Sequence, residues 1–452
     1  MRLVLLSGGS GKRLWPLSND ARSKQFLKIL DDKSGNKESM VQRVWSQLKS
    51  VDLDSSTMIA TSKSQIDILH NQLGTNEHFF VEPEQRDTFP AVSLAASYLY
   101  SNGVDLNEVV TILPVDPYVE DRFFNRIKEL ENALTSSNAE IALIGVVPTY
   151  PSSKYGYIIP KDANRGNAYL EVSGFTEKPS EDRARELIKR NAFWNCGVFA
   201  FKLEFLINFI QNKGLPVNYE ELCMRYHELP KISFDYEVVE NAKKLIVLPY
   251  DGFWKDLGTW NTLTEQMATN IIGKGVLSED SLNSHVINEL DIPITILGLS
   301  NVVVAAGPDG ILVSDKAASP RVKELLNFDQ IPMYVERKWG WYRVLDYTKN
   351  HEGKEVLVKK VGIKAGRNLS YHYHNKRSEV WTIISGEGEC ILNEEIKLVQ
   401  AGDMIQIPAE SRHGIKAYKD LELIEILSGD EVMEEDIVRI SSNWSEMLVH
   451  RS

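Results

Sequence analysis

The chain has 452 residues, 43% of them apolar and 25% charged, with 51 basic against 63 acidic side chains and a formal net charge of −12. That length exceeds what one hydrophobic core organises and predicts about three domains, and the composition is that of an ordinary folded protein without low-complexity tracts or internal repeats. The acidic balance speaks against a nucleic-acid or membrane-surface binder, since those partners attract basic faces, so a small anionic ligand would have to meet a local cluster of cations.

In chain order, a short apolar strand, Leu3-Val4-Leu5-Leu6, runs into the turn Ser7-Gly8-Gly9-Ser10-Gly11-Lys12-Arg13. A strand entering such a turn with a helix to follow aims backbone N–H groups and two cations at one point, which suits a phosphate. Two common phosphate loops fail here. Leu6 stands where the Walker pattern has its first glycine and Arg13 where it has Ser or Thr, and Leu14 breaks the dinucleotide pattern. Up to residue 265, short apolar runs alternate with longer helical stretches, the pattern of an α/β domain with a largely parallel, helix-covered sheet. Val109–Leu113 and Ile141–Val147 read as buried strands, and 121–136 as a helix with Phe124, Ile127, Leu130 and Leu134 on one stripe. Pro114 and Pro148 close the two strands, so Val115-Asp116 and Thr149-Tyr150 fall at the carboxyl edge of the sheet, where ligands bind in open α/β folds. Residues 266–331 break into short runs such as Ser284–Ile287, Pro293–Gly298 and Val302–Val304, a β-rich connector, followed by a helix over 320–328 and a linker at 329–332. From 332 to 440 the text is all β, punctuated by Gly386, Gly388, Gly402 and Gly429, and predicts a small barrel or sandwich. The three cysteines, Cys196, Cys223 and Cys390, lack zinc-knuckle spacing, which predicts a reducing compartment. Without an apolar stretch of about 18 residues, the expectation is a soluble cytoplasmic protein.

The glycine turn continues as Arg13-Leu14-Trp15-Pro16-Leu17-Ser18 and Ser23-Lys24-Gln25-Phe26-Leu27. Together these resemble the signature of the sugar-nucleotide pyrophosphorylases, and the Leu-Trp-Pro-Leu wording is similar to the mannose-1-phosphate guanylyltransferases among them. Lys12 replaces the usual Thr and Ser23 a usual Pro; the glycines and the cations Arg13 and Lys24 remain. The resemblance implies a Rossmann-like nucleotidyltransferase with a mixed, mostly parallel sheet, a β-helix-like connector, and transfer from GTP to mannose 1-phosphate. Such a transfer depends on positioning and charge neutralisation, with Mg²⁺ held by one or two carboxylates. Asp116, and Asp256 in Trp254-Lys255-Asp256-Leu257-Gly258-Thr259-Trp260, match the implied Mg²⁺ ligands, with Arg13, Lys24 and Lys178 as catalytic cations. Gly8, Gly9, Ser10, Gly11 and Lys12 would hold phosphates. Glu82, Arg86 and Thr88 fall in the segment Glu82–Ala91 that resembles the nucleotide-side loop; Glu82 or Glu84 could face the guanine edge. On the sugar side stand Gly156 in Tyr155-Gly156-Tyr157-Ile158, Glu177 and Lys178 in Phe175-Thr176-Glu177-Lys178-Pro179, and Asn195 in Trp194-Asn195-Cys196-Gly197. Glu177 can accept from sugar hydroxyls, Lys178 can hold the sugar phosphate as a point charge, and Asn195 can both donate and accept.

In the last domain, period-two alternation puts His372 and His374 on one face of a strand, Glu379 follows five residues later, and His413 lies beyond Gly402 and Pro408. Three imidazoles and a carboxylate suit a divalent transition metal, Zn²⁺ or similar. The spacing resembles both cupin motifs, with Glu410 and Ala417 departing from the second. Arg337-Lys338-Trp339-Gly340 is similar to the opening of type II phosphomannose isomerase domains, which typically carry His where Val380 stands and Gln where His372 stands. Three alternatives therefore stay open beside the transferase reading: a bifunctional enzyme that also interconverts mannose 6-phosphate and fructose 6-phosphate, a non-catalytic cupin, or another hexose 1-phosphate as substrate. A homo-oligomer also stays open, while neither nucleic acid nor membrane is an expected partner.

Overall fold

The structure, a computed structural model, describes residues 1–9, 12–74, 79–161, 168–326, 330–432 and 436–447. Nine strands form the first sheet: β1 (Arg2–Leu6), β2 (Thr57–Ser62), β3 (Phe79–Glu82), β4 (Val109–Pro114), β5 (Ile141–Val146), β6 (Tyr157–Pro160), β7 (Leu170–Thr176), β8 (Phe193–Lys202) and β9 (Leu245–Tyr250). Their order is β3-β2-β1-β4-β8-β5-β9-β7-β6, and β7 and β8 run against the other seven. The sheet then closes on itself, because β6 also pairs with the start of β8 through Phe193 and Trp194. β8 pairs with three strands, β4, β5 and β6, and changes register against β5 between Asn195 and Phe199, where Gly197 takes a φ of 77° that other residues rarely adopt. Its first half faces β6 and its second half β4.

Strand alternation divides the core between the two faces of this sheet. Leu3 and Leu5 point to the side covered by α1 (Met40–Ser50) and by the helix Arg122–Ser136, with Val44, Trp45, Phe124, Ile127 and Leu130 buried there. Val4 points to the other side, under the helices Thr88–Ser101 and Leu203–Asn212. The start of α1 is set locally: Ser39 accepts from the Gln42 N–H and the Gln42 side chain reaches back to the Ser39 N–H. The turn after β1, the end of β3 at Glu82 and Asp116 after β4 all lie at one carboxyl edge, since β1, β3 and β4 point the same way.

The connector stacks parallel rungs, Ile271–Ile272 on His285–Asn288 on Val302–Gly307, against a second parallel pair, Gly275–Leu277 with Ile294–Ile296, which is a short β-helix-like coil. Gly310–Asp315 ends it by folding back antiparallel on Val302–Gly307. The following helix covers Val322–Leu325 after a 3₁₀ turn; residues 327–329 of the expected 320–328 span and linker lie outside the described residues. Leu14, Leu17, Trp260, Ile287, Val303 and Ala305 share one apolar cluster, so the connector rests on the segment after the glycine turn. The C-terminal strands form two antiparallel sheets, one of six strands and one of five, enclosing Val361, Trp381, Ile383, Cys390, Ile415 and Leu423. All three cysteines are free thiols, and among the described residues no helix is long and apolar enough to cross a membrane.

Candidate active site and metal centre

The glycine turn is held by side chains from the segment that follows it. Gln25 Nε2 donates to Ser7 O at 2.8 Å, Ser23 Oγ donates to Gly9 O at 2.9 Å, and Gln65 Nε2 donates to Ser23 Oγ at 2.8 Å. Ser23, the departure from the usual Pro, thus fastens the turn. Gly9 has a φ of 138°, and a Cβ at Gly8 would lie 3.2 Å from Glu82 Oε1, so side chains are excluded from the edge of the turn. Ser10 and Gly11 lie outside the described residues.

Asp116 and Asp256, 140 positions apart in the chain, converge on Lys24. Lys24 Nζ is 2.7 Å from Asp116 Oδ2 and 3.4 Å from Asp256 Oδ1. A two-strand ribbon brings them together: Trp254–Asp256 pairs antiparallel with Pro117–Val119, setting Asp256 opposite Pro117. Burial works to raise the Asp116 pKa, but Lys24 and Arg13 hold it below the ordinary carboxylate value; the two aspartates in turn raise Lys24 against its own desolvation. One ammonium bridging two carboxylates marks a position that favours a cation, and this oxygen donor set fits Mg²⁺.

Beside this triad opens a cavity of ≈ 980 Å³, lined by Arg13, Tyr155, Lys178, Lys255, Asp256 and Lys323 among others. Arg13 and Lys178 therefore face the same space as Asp256. Lys12 does not: its Nζ is 3.2 Å from Asp20 Oδ2, and it lines a separate small hollow with Trp15 and Asp309. Gly156, Glu177 and Asn195 pack together, since a Cβ on Gly156 would lie 2.3 Å from Glu177 Oε2 and 3.3 Å from Asn195 Cβ. Glu177 Oε1 is 2.8 Å from Lys178 Nζ, while Glu177 Oε2 is buried and makes no hydrogen bond. Asn195 Nδ2 donates to Asp235 Oδ1 at 2.5 Å, and burial together with the Glu177 charge pushes Asp235 up to about 6.

At the end of β3, Glu82 accepts from Tyr226 Oη at 2.9 Å, and burial pushes its carboxyl up to about 7. Arg86 Nε donates to Leu229 O at 2.9 Å while Nη1 pairs with Glu84 at 2.7 Å. Thr88 Oγ1 accepts from the Phe234 N–H at 2.8 Å. Arg86 and Thr88 thus tie this loop to the segment 229–234.

In the barrel, His372 and His413 stand directly opposite each other on neighbouring strands, with His374 two residues along, and their ligand atoms lie within 4.8 Å of one another. The facing sheet supplies Glu379, whose Oε1 is 2.9 Å from His374 Nε2 and whose Oε2 is 3.6 Å from His413 Nε2. His372 Nδ1 and His413 Nδ1 lie 2.7 Å and 2.9 Å from the Ser370 and Ser411 carbonyls, which directs their Nε2 atoms inward; His413 Nε2 is buried without a hydrogen bond. Burial, reinforced by the neighbouring imidazoles, pushes His372 down to about 3, whereas His374 and His413 hold Glu379 well below its ordinary value against the opposing effect of burial. Three imidazoles around one carboxylate fit a divalent metal. Arg377 Nε, at 3.2 Å, and Trp381 Nε1, at 3.1 Å, donate to the two oxygens of Glu379. Val380 is only half-buried between buried Glu379 and Trp381, which puts it on the opposite face of the strand from the centre.

Residues 2–271 match the family model described as nucleotidyl transferase. The chain belongs to the nucleotidyl transferase family. Residues 327–442 of this nucleotidyl transferase match a second model, mannose-6-phosphate isomerase C-terminal. It is 28% identical to mannose-1-phosphate guanylyltransferase 2 of Escherichia coli O157:H7 over 480 residues, covering 96% of each chain. It is equally 28% identical to mannose-1-phosphate guanylyltransferase RfbM of Salmonella typhimurium, over 97% of this chain and 96% of that one. Among solved structures, one described as mannose-1-phosphate geranyltransferase from Thermus thermophilus superposes with a TM-score of 0.61 at 28% identity, over 72% of this chain and 98% of that one.

Sequence reasoning missed Asp235, Tyr226 and the cleft lysines Lys255 and Lys323 of the nucleotidyl transferase. Lys255 stands in the Trp254–Trp260 motif without a role implied for it, and an isolated Asp in a helical stretch reads as solvated surface; Asp235, on the helical turn Asp235–Val239, meets Asn195 only in the folded chain.

Proposed function

We propose that the nucleotidyl transferase joins GTP to mannose 1-phosphate, giving GDP-mannose and pyrophosphate. The observation that carries this reading is the bridging of Asp116 and Asp256 by Lys24 at the sheet edge beside the glycine turn. A phosphate oxygen of the sugar attacks the α-phosphorus in line and pyrophosphate leaves, so the demand on the protein is to hold two anions together. The turn over residues 8–11 is assigned the phosphates, with Lys12 turned away to Asp20; Arg13 and Lys24 offset the charge of the triphosphate, and Lys178 holds the sugar phosphate. Glu177, with its unpaired Oε2, Gly156 and Asn195 orient the sugar; Glu82 meets the base, and Arg86 and Thr88 support that loop. Asp116 and Asp256 would hold Mg²⁺, which when bound neutralises phosphate charge.

The barrel, with His372, His374, His413 and Glu379, is assigned a divalent transition metal such as Zn²⁺. The three units are taken as 1–265, 266–331 and 332–440. Pyrophosphate release from each common nucleoside triphosphate against several hexose 1-phosphates tests the substrate pair: GTP with mannose 1-phosphate should turn over best, and a better rate with another pair would refute it. Offering the same protein mannose 6-phosphate and following fructose 6-phosphate decides whether the barrel has a turnover of its own.

A further inference from the structure

The segment from Asn19 to Gln25 faces two ways. Inward, Ser23 fastens Gly9, Lys24 bridges the two aspartates and Gln25 fastens Ser7, all within three consecutive residues. Outward, Arg22 is buried against parts of the chain that carry none of the proposed transferase chemistry. Its Nη1 and Nη2 donate to Glu289 Oε2 and Oε1 at 2.8 and 2.9 Å, a two-pronged pair with the connector. Its Nε is 3.8 Å from Glu336 Oε1, and its guanidinium lies 5.1 Å from the centre of the Tyr334 ring; both residues sit on the strand Tyr334–Arg337 of the barrel. Asn19 adds a second anchor. Its Oδ1 accepts from the N–H groups of Ala21 and Arg22, and its Nδ2 donates at 2.5 Å to Asp309, whose other oxygen accepts from the Met333 N–H.

We propose that Arg22 is a positioning residue for guanylyl transfer: gripped by Glu289 and Glu336, it fixes the outer side of the segment whose inner side sets the phosphate turn and Lys24. The connector and barrel thereby act on the nucleotide-side chemistry without touching substrate. A guanidinium fork on a carboxylate fixes orientation as well as distance, which an ammonium on the same stem does not. With the fork lost, Ser23, Lys24 and Gln25 keep only their inward contacts, and a misplacement of about 1 Å at a reacting site costs up to ~10²-fold in rate. Gly156 lies just before β6, Glu177 just after β7 and Asn195 on β8, and Glu177 and Asn195 pair with Lys178 and Asp235 rather than with Asn19–Gln25. The effect is therefore expected to fall on GTP more than on the sugar.

This inference rests on the proposed guanylyltransferase reading, and the experiment separates the two. Full-length Arg22→Lys and Glu289→Gln are assayed by pyrophosphate release with GTP, Mg²⁺ and mannose 1-phosphate varied in turn, alongside thermal unfolding. The expected result is a kcat lowered ~10-fold and a raised KM for GTP, with the KM for mannose 1-phosphate within about twofold of the unaltered enzyme. A purely structural clasp would lower the unfolding temperature and leave that split absent. Should Glu289→Gln fail to fold, Arg22→Lys, which keeps the charge, carries the same test. Folded variants with unaltered kcat and KM for GTP, or with both KM values raised alike, overturn the role of Arg22. An unaltered enzyme that makes no GDP-mannose overturns the substrate reading instead.

Discussion

Replacing Gly156 by alanine places a methyl group 2.3 Å from Glu177 Oε2 and 3.1 Å from Phe175 Cζ, where ordinary contact begins near 3.4 Å. The carboxylate must therefore retreat by about 1 Å. The Gly156 backbone is not in the left-handed region, so the strain falls on the neighbouring side chains rather than on the main chain. Glu177 has little room to yield, because its side chain is 6% exposed and its Oε1 is tied to Lys178. Overpacking of this kind costs about 1–3 kcal/mol of stability, which a folded domain survives. Its effect on the reaction is larger, since a misplacement of about 1 Å in a group that orients a substrate costs up to ~10²-fold. Gly156→Ala should thus lower kcat/KM for mannose 1-phosphate by roughly 10²-fold while the KM for GTP changes less than about threefold. Pyrophosphate release measured against each substrate in turn, with thermal unfolding on the same preparation, checks it. A folded variant with an unaltered kcat/KM for mannose 1-phosphate would refute the assignment of the Gly156, Glu177 and Asn195 cluster to the sugar.

Asp256→Asn should cut transfer by at least ~10²-fold while circular dichroism and unfolding temperature stay near those of the unaltered protein, because the side chain is 37% exposed and its loss opens no cavity. Near-normal turnover at ordinary Mg²⁺ would count against a metal-holding role. Glu82 titrates near 7 against an ordinary 4.5, raised by burial despite the Tyr226 hydrogen bond, so its stabilising contribution is full below pH 4.5 and lost as pH rises through 7. Glu82→Gln should remove on the order of 3 kcal/mol of that pH-dependent loss, and denaturant titrations giving the same stability difference at pH 5 and pH 8 would sink the idea. His374→Ala should deplete bound transition metal, read by elemental analysis, with guanylyl transfer within about twofold; loss of both together would tie the barrel centre to the transferase.

Much of the fold was legible in the sequence because its signals are local. Phe124, Ile127, Leu130 and Leu134 recur at helical spacing and are buried on one face, and the apolar runs at 109–113 and 141–146 lie in paired strands, the second ending one residue before the expected Val147. His372 and His374 point the same way because strand side chains alternate. The departures were harder to weigh. Ser23 in place of Pro fastens Gly9, Lys12 in place of Thr turns to Asp20, and Val380 in place of His lies on the outer face of its strand.

The sequence by itself determined the glycine turn, the run of elements, and which residue types stand ready to meet phosphate and metal, because periodicity, turn chemistry and motif spacing act over a few neighbours. Only the tertiary structure decided the company those residues keep. Asp256 meets Asp116 through a two-strand ribbon, Glu82 meets Tyr226 from 144 residues away, and Arg22 meets Glu289 from 267 residues away. Such pairings depend on strand order and on how the connector packs against the first sheet, and no local pattern of side chains encodes either.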